Sequence, residues 1–205
     1  SESLEIQYEK LGIRSSMVHR TLSFLTKVYV RQGRLKESEP HLARLIRELD
    51  EELEPDYAAL AEANLDMGSL RLQEGKSSEA QPYALRCLQL LQEYVGPTEW
   101  LIERALKILR RAYGQDDYQS HICQLILAIL KDREQFRPLL DKRPELLDGR
   151  DNTGWGLLQW AIFFGREDIV QMLLQRQIDC GYDAARTLGP LHVACAWNRQ
   201  GSLKM

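Results

Sequence analysis

The stretches VYVRQGRLKESEPHLARLI (residues 28–46) and LRLQEGKSSEAQPYALRCL (residues 70–88) decide the fold, because they align without a gap at a separation of 42 residues. In each stretch, apolar residues spaced by three or four positions precede a glycine, and a second segment of the same periodicity follows it. This pattern predicts two helical hairpins that each turn at a glycine. Four pairs of equivalent positions carry the alignment: Gly33 and Gly75, Ser38 and Ala80, Pro40 and Pro82, and Leu42 and Ala84.

A third and looser unit follows over PTEWLIERALKILRRAYG (97–114). Pro97 suits the first turn of a helix, and Gly114 takes the hairpin position, 39 residues after Gly75. The opening SLEIQYEKLG (3–12) has the form of the second helix of such a unit and its exit glycine. We therefore expect the first part of the chain to consist of helical hairpins.

These hairpins resemble the tetratricopeptide repeats of the kinesin light chain, which also have a 42-residue period. The segments QGRLKESEP (32–40) and EGKSSEAQP (74–82) carry the resemblance, and they correspond to QGKYEEAEP in that family. The resemblance covers residues 1–116. It implies a superhelix that binds peptides with the first helix of each hairpin.

The rest of the chain repeats with a period of 33 residues, as Leu158 and Leu191 or Ala161 and Ala194 show. The segments DNTGWGLLQWAIFFGREDIVQMLL (151–174) and GPLHVACAW (189–197) resemble ankyrin repeats. The resemblance implies a degenerate first repeat, a complete middle repeat and a truncated last repeat over residues 117–205. Where ankyrin repeats read T-P-L-H, the middle repeat has GLLQ (156–159), so it lacks the Thr and His that brace the turn in family members.

These patterns together predict an all-α fold, a helical-hairpin solenoid in which a tetratricopeptide-like superhelix (1–116) continues into ankyrin repeats with short β-turn loops (117–205). The apolar helix YQSHICQLILAILK (118–131) is expected to end the first stack and to begin the second. Both ends of the chain fall within a repeat. We therefore expect the chain to be a fragment of a larger repeat protein.

The composition narrows the classes of partner. A formal charge of −3 gives no reason to expect a nucleic-acid or membrane partner. The longest apolar run, ICQLILAIL (122–130), is about half of what a membrane span requires. The four cysteines (Cys87, Cys123, Cys180 and Cys195) are scattered, which indicates free thiols in a reducing compartment. We expect an intracellular, cytoplasmic protein.

The sequence contains no motif for catalysis, such as a phosphate-binding loop, a zinc-protease motif or a nucleophile elbow. His121 and Cys123 are two positions apart, so on a helix they point to different faces and make a poor metal site. His192 and Cys195 share a helical face, but His192 fits the turn-bracing histidine that the ankyrin resemblance implies. We expect no enzymatic activity, no cofactor, no metal and no small-molecule substrate.

The tetratricopeptide resemblance implies a peptide groove at fixed distances before each hairpin glycine. In the first and third units several of the side chains at these positions are basic, which favours an acidic peptide or protein segment held by charge-assisted hydrogen bonds. The alternative is that they are ordinary solvated charges on helix surfaces. The residues that we assign to this groove are Arg20, Lys27, Arg31, Gln73, Arg104 and Arg111.

Large aromatic side chains at positions that ankyrin repeats vary freely form a second candidate surface. Such residues are typical of interface hot spots. The alternative is structural: Trp160 packs beneath the neighbouring turn, and the phenylalanines pack against the adjacent repeat or the tetratricopeptide part. The residues that we assign to this surface are Trp155, Trp160, Phe163, Phe164 and Trp197.

Two functions fit the predicted fold. The first is a non-catalytic scaffold or adaptor module that binds peptide or protein partners on its concave face. The second is a sensing or targeting repeat tail of a larger signalling NTPase or effector enzyme, whose catalytic domain lies outside this chain. A phosphate-binding loop or a catalytic domain elsewhere in the full-length protein would favour the second.

The shared helix at 118–131 predicts that the two repeat types unfold together. Thermal unfolding followed by circular dichroism should show one cooperative transition, because loss of this helix would uncover both stacks. Two well-separated transitions, or independent tumbling of the two halves in NMR relaxation, would contradict this prediction.

Overall fold

A computed structural model describes residues 16–176, 178 and 189–197, and for residues 16–20, 30, 31 and 35 it describes the backbone alone. Within these ranges the chain forms helices, and one isolated β-bridge joins Arg150 to Gly156. The predicted all-α class is therefore confirmed for the described residues. The α-helices are α1 (Ser16–Arg31), α2 (Leu35–Asp50), α3 (Tyr57–Gln73), α4 (Ser77–Leu90), α5 (Glu99–Tyr113), α6 (Tyr118–Lys131), α7 (Arg133–Lys142), α8 (Leu157–Phe163), α9 (Glu167–Gln175) and α10 (Pro190–Ala196). A π-helical turn (Leu91–Val95) follows α4, and a 3-10 turn (Pro144–Leu146) follows α7.

The helices belong to two compact units, which divide between Tyr94 and Val95. In the N-terminal unit, α2 packs against α1 and α3, and α3 packs against α4. In the C-terminal unit, α6 packs against α5, α7 and α8, while α8 also packs against α9 and α10. The change of repeat type at 116/117 stays a prediction, as do the opening segment 3–12 and the closing GSLKM, which lie outside the described residues.

Glycines in the left-handed region of backbone space turn the chain after four of the described helices. Gly33 (φ 71°) separates α1 from α2, and Gly75 (φ 77°) separates α3 from α4. Gly114 (φ 93°) and Gly165 (φ 68°) take the same place after α5 and α8. A residue with a Cβ atom is strained in this conformation. The helix–glycine–helix pattern of the sequence is therefore present in the structure.

Each unit contains one helix that is buried on most of its sides. Along α3, the buried residues run almost without interruption from Leu60 to Leu70 and include the small residues Ala61, Ala63 and Gly68. Along α6, eight residues are buried: Ser120, Ile122, Cys123, Leu125, Ile126, Ala128, Ile129 and Leu130. A helix that is apolar all round has to be covered all round. In the N-terminal unit α2 and α4 therefore pack on α3, and in the C-terminal unit α5, α7 and α8 pack on α6, while α9 and α10 pack on α8.

Three second helices of pairs contain a proline at the sixth residue: Pro40 in α2, Pro82 in α4 and Pro138 in α7. A proline inside a helix removes the hydrogen bond to the carbonyl four positions earlier. That position is exposed in all three helices, where it is occupied by Lys36, Ser78 and Glu134. The carbonyl that loses its partner thus lies on a turn that water reaches, which keeps the cost of the proline low.

Substitution of Gly75 by alanine tests the hairpin turn. No atom lies within 4 Å of a Cβ atom at Gly75, so the substitution adds backbone strain without a clash. We expect Gly75→Ala to lower the free energy of unfolding by about 1 kcal/mol, measured by urea denaturation. Gly75→Asn is the matched control, because asparagine visits this conformation more readily. An unchanged urea midpoint for the alanine variant would contradict the prediction.

Candidate functional site

Part of the predicted groove lies in the N-terminal unit, where α1 contacts α3. The ammonium Nζ of Lys27 on α1 lies 2.5 Å from Oε1 of Glu62 on α3, and both side chains are partly exposed. This cation is therefore already paired within the unit. An acidic partner that binds here has to replace the carboxylate of Glu62.

The other groove positions differ in their surroundings. Gln73, at the end of α3, is exposed. In the C-terminal unit, Arg111 is exposed and Arg104 is half-buried, with its guanidinium 5.8 Å from the ring centroid of Trp100. The side chains of Arg20 and Arg31 lie outside the described residues. Each unit thus carries some of the residues assigned to the peptide groove. That these residues form one groove stays a prediction.

A cluster of charges surrounds Arg71 on α3, and it was not predicted from the sequence. The guanidinium lies 2.5 Å from Glu39 on α2, 2.8 Å from Glu74 and 3.4 Å from Glu79 on α4. The hydrogen bond to Glu39, with further support from Glu74, raises the pKa of Arg71. Glu74 is three residues from Arg71, but Glu39 is 32 residues away, so the local spacing did not indicate the cluster. It joins the three helices that surround the turn at Gly75.

The structure brings all five assigned aromatic residues into one cluster of ring contacts in the C-terminal unit. The ring of Phe163 lies 5.3 Å from Trp155, 5.8 Å from Trp160, 5.9 Å from Phe164 and 5.6 Å from Trp197. Edge-to-face arrangements, which aromatic pairs prefer, dominate. Trp197 also lies against Gly96, where a Cβ atom would come within 2.9 Å of its ring.

Burial of the aromatic cluster favours the packing alternative. Trp155, Trp160 and Phe163 are buried, so in this conformation their rings are covered by other parts of the unit. Phe164 and Trp197 are half-buried and retain some accessible surface. Partner contact through the aromatic surface stays a prediction, and only these last two side chains are placed to take part without a rearrangement.

Asp151 holds the loop before α8 through a buried carboxylate. Its Oδ1 accepts hydrogen bonds from the backbone N–H of Thr153 (2.9 Å) and of Trp155 (3.0 Å) and from the hydroxyl of Thr153 (2.6 Å). Its Oδ2 accepts one from the indole Nε1 of Trp160 (2.8 Å). Burial raises the pKa of Asp151, while these donors favour the charged form. Trp160 is therefore fixed beneath the turn by a hydrogen bond as well as by ring packing.

Gln159 braces the turn before α8, at the position where the sequence lacks the Thr and His that the expected repeat would have. Its side-chain Oε1 accepts a hydrogen bond from the backbone N–H of Gly156 at 2.8 Å. This contact satisfies a donor at the start of α8 that would otherwise lack a partner. The side chain of Gln159 therefore takes part in holding this turn.

The two residues of the candidate metal pair differ in burial, whereas the two residues of the candidate thiol pair are both exposed. Cys123 is buried, and burial raises the pKa of its thiol, whereas His121 is half-buried. His192 and Cys195 both lie on the exposed part of α10. Across the described residues no group of three His, Cys, Asp or Glu side chains is placed to hold a metal ion, and no helix there has the length and apolarity to cross a membrane.

Comparisons of the chain with protein-family models, with curated proteins and with solved structures found no match.

Replacement of Trp160 by phenylalanine tests the link between the loop and the cluster. Trp160→Phe keeps an aromatic ring but leaves Oδ2 of Asp151 without its indole donor. We expect the free energy of unfolding to fall by about 2 kcal/mol, which is typical for a buried acceptor that loses its partner. Trp100→Phe makes the same change at a half-exposed site and should be close to neutral. Equal urea midpoints for the two variants would show that the bond contributes little.

Proposed function

We propose that this chain is a non-catalytic protein-interaction module, built of tetratricopeptide-like hairpins followed by ankyrin-like repeats, that binds a peptide or protein segment. The supporting observation is that ion pairs join successive helix pairs in both units. Lys27 pairs with Glu62, Arg133 with Asp168, and Asp141 with Arg176. Contacts between units that follow one another along the chain are expected where similar units stack.

Stacked helix pairs present equivalent surface positions side by side, which suits an extended ligand. On α1, the side chain of Phe24 is 70% exposed. It lies three positions before Lys27 and therefore on the same side of the helix. An exposed aromatic residue beside a cation offers an apolar anchor and a charge to one ligand. This pair supports a partner segment that contains both acidic and apolar residues.

The cysteines support the proposed intracellular location. Cys87 and Cys123 are buried free thiols, and Cys195 is an exposed one. Free thiols are typical of a reducing compartment. Cys180 lies outside the described residues.

A charge change at Glu62 tests the binding function. Glu62→Gln removes the carboxylate that competes for Lys27, so a blocked peptide of alternating glutamate and leucine should bind roughly threefold tighter, as expected for a partly exposed ion pair. The measurement is fluorescence anisotropy with a labelled peptide. Phe24→Ala should weaken the same complex.

Two controls define the outcome. Glu48→Gln removes a carboxylate that pairs with Arg44 on α2, and it should leave the affinity unchanged. A peptide with glutamine in place of glutamate should bind more weakly to every variant. Equal binding of both peptides, or the same gain from Glu48→Gln, would contradict recognition of an acidic segment at this site.

A further inference from the structure

A cavity of about 130 Å³ lies within the C-terminal unit between α6, α7 and the 3-10 turn. Three leucines form its apolar lining, namely Leu125 on α6, Leu139 on α7 and Leu146 in the turn. Its polar lining consists of His121, Gln124, Lys142 and Arg143. The residues from each helix are spaced by three and four positions, so they share one helical face. The two faces oppose each other across the cavity.

Among the described residues that line this cavity, one buried polar side-chain atom lacks a hydrogen-bond partner. The Nε2 atom of His121 is buried and has no hydrogen-bond partner. Buried polar atoms almost always have one, so an exception indicates a place where a ligand or water binds. In the sequence, His121 is a candidate only for a metal ligand beside Cys123. In the structure it lies at the cavity with Lys142 and Arg143.

The two cations at the cavity are also free, whereas other cations nearby are paired. Lys142 and Arg143 form no ion pair within the part of the chain that the structure describes. In contrast, Arg133 pairs with Asp168, and Arg176 pairs with Asp141. Lys142 and Arg143 are both exposed, and together with the unpartnered Nε2 of His121 they supply two cations and one polar nitrogen to the cavity. An anion would pair with the cations and could accept a hydrogen bond from the imidazole.

The leucines restrict what kind of anion fits. A cavity with a few polar groups at one part and an apolar lining elsewhere selects a ligand that is itself divided in this way. We infer that this cavity binds a carboxylate on a short aliphatic stem, with Nε2 of His121 as hydrogen-bond donor and Lys142 and Arg143 as charge partners. The stem lies against Leu125, Leu139 and Leu146. A glutamate side chain of a partner and a free short-chain acid share this chemistry. The inference goes beyond the proposed function, because it concerns other residues in the other unit.

NMR of the whole chain with ¹³C-labelled histidine tests the site directly. Sodium butyrate should shift the His121 ring signals in a saturable manner, and butyramide, which has the same shape without the charge, should not. Equal shifts with both compounds, or no saturable shift with butyrate, would overturn the inference. Because no partner protein is needed, failure here leaves the peptide test at Glu62 unaffected.

Variants at the cavity locate the response. Lys142→Gln combined with Arg143→Gln should weaken butyrate binding by roughly tenfold or more, since two charge-assisted contacts are lost. Arg137→Gln is the matched control: it removes a charge from the same helix, but its side chain is 73% exposed and does not line the cavity. If the double variant retains the affinity, or if Arg137→Gln loses it to the same extent, the cavity is not the binding site.

A blocked Leu-Glu-Leu tripeptide distinguishes the two sources of the carboxylate. A saturable shift of His121 with this peptide, absent with Leu-Gln-Leu, would support the carboxylate assignment and identify an acidic side chain of a protein partner as a ligand. A response to butyrate alone would support the same assignment and identify a free acid instead.

Discussion

Both units depend on one requirement, which is that a helix with apolar or small residues on nearly every side must be covered on every side. In the N-terminal unit this helix is α3, and in the C-terminal unit it is α6. Each buried leucine, isoleucine or methionine side chain of these helices contributes on the order of 1.5–3 kcal/mol when it leaves water, so an incomplete cover would be costly. The packing of α2 and α4 on α3, and of α5, α7 and α8 on α6, follows from this requirement.

The features that could be predicted from the sequence were those set by neighbours along the chain. Gly33 and Gly75 stood out by their equal spacing, and both adopt the left-handed conformation that their position in a hairpin implies. The apolar character of α6 also indicated a buried helix. Such signals depend on the local periodicity of the sequence and on backbone sterics, so a single sequence is enough to infer them.

Features that depend on contacts between distant residues could not be predicted in the same way. Arg71 shared no local pattern with Glu39 or Glu79, and the unpartnered Nε2 of His121 becomes visible only when α7 lies beside α6. The aromatic residues were ambiguous for the same reason. The spacing of Trp160 and Phe163 on α8 fits a core position and a surface position equally well, and the hydrogen bond from Trp160 to Asp151 decides in favour of the core for Trp160.

The contact of Trp197 with Gly96 has a consequence for how the C-terminal unit opens. In a linear array each repeat touches only the next, so the terminal segments can fray one at a time. Here Trp197, which follows α10, lies against Gly96, which precedes α5, and the absence of a side chain at Gly96 makes room for the indole. Separation of either segment from the unit therefore loses this packing contact, so the segments at positions 96 and 197 do not open independently.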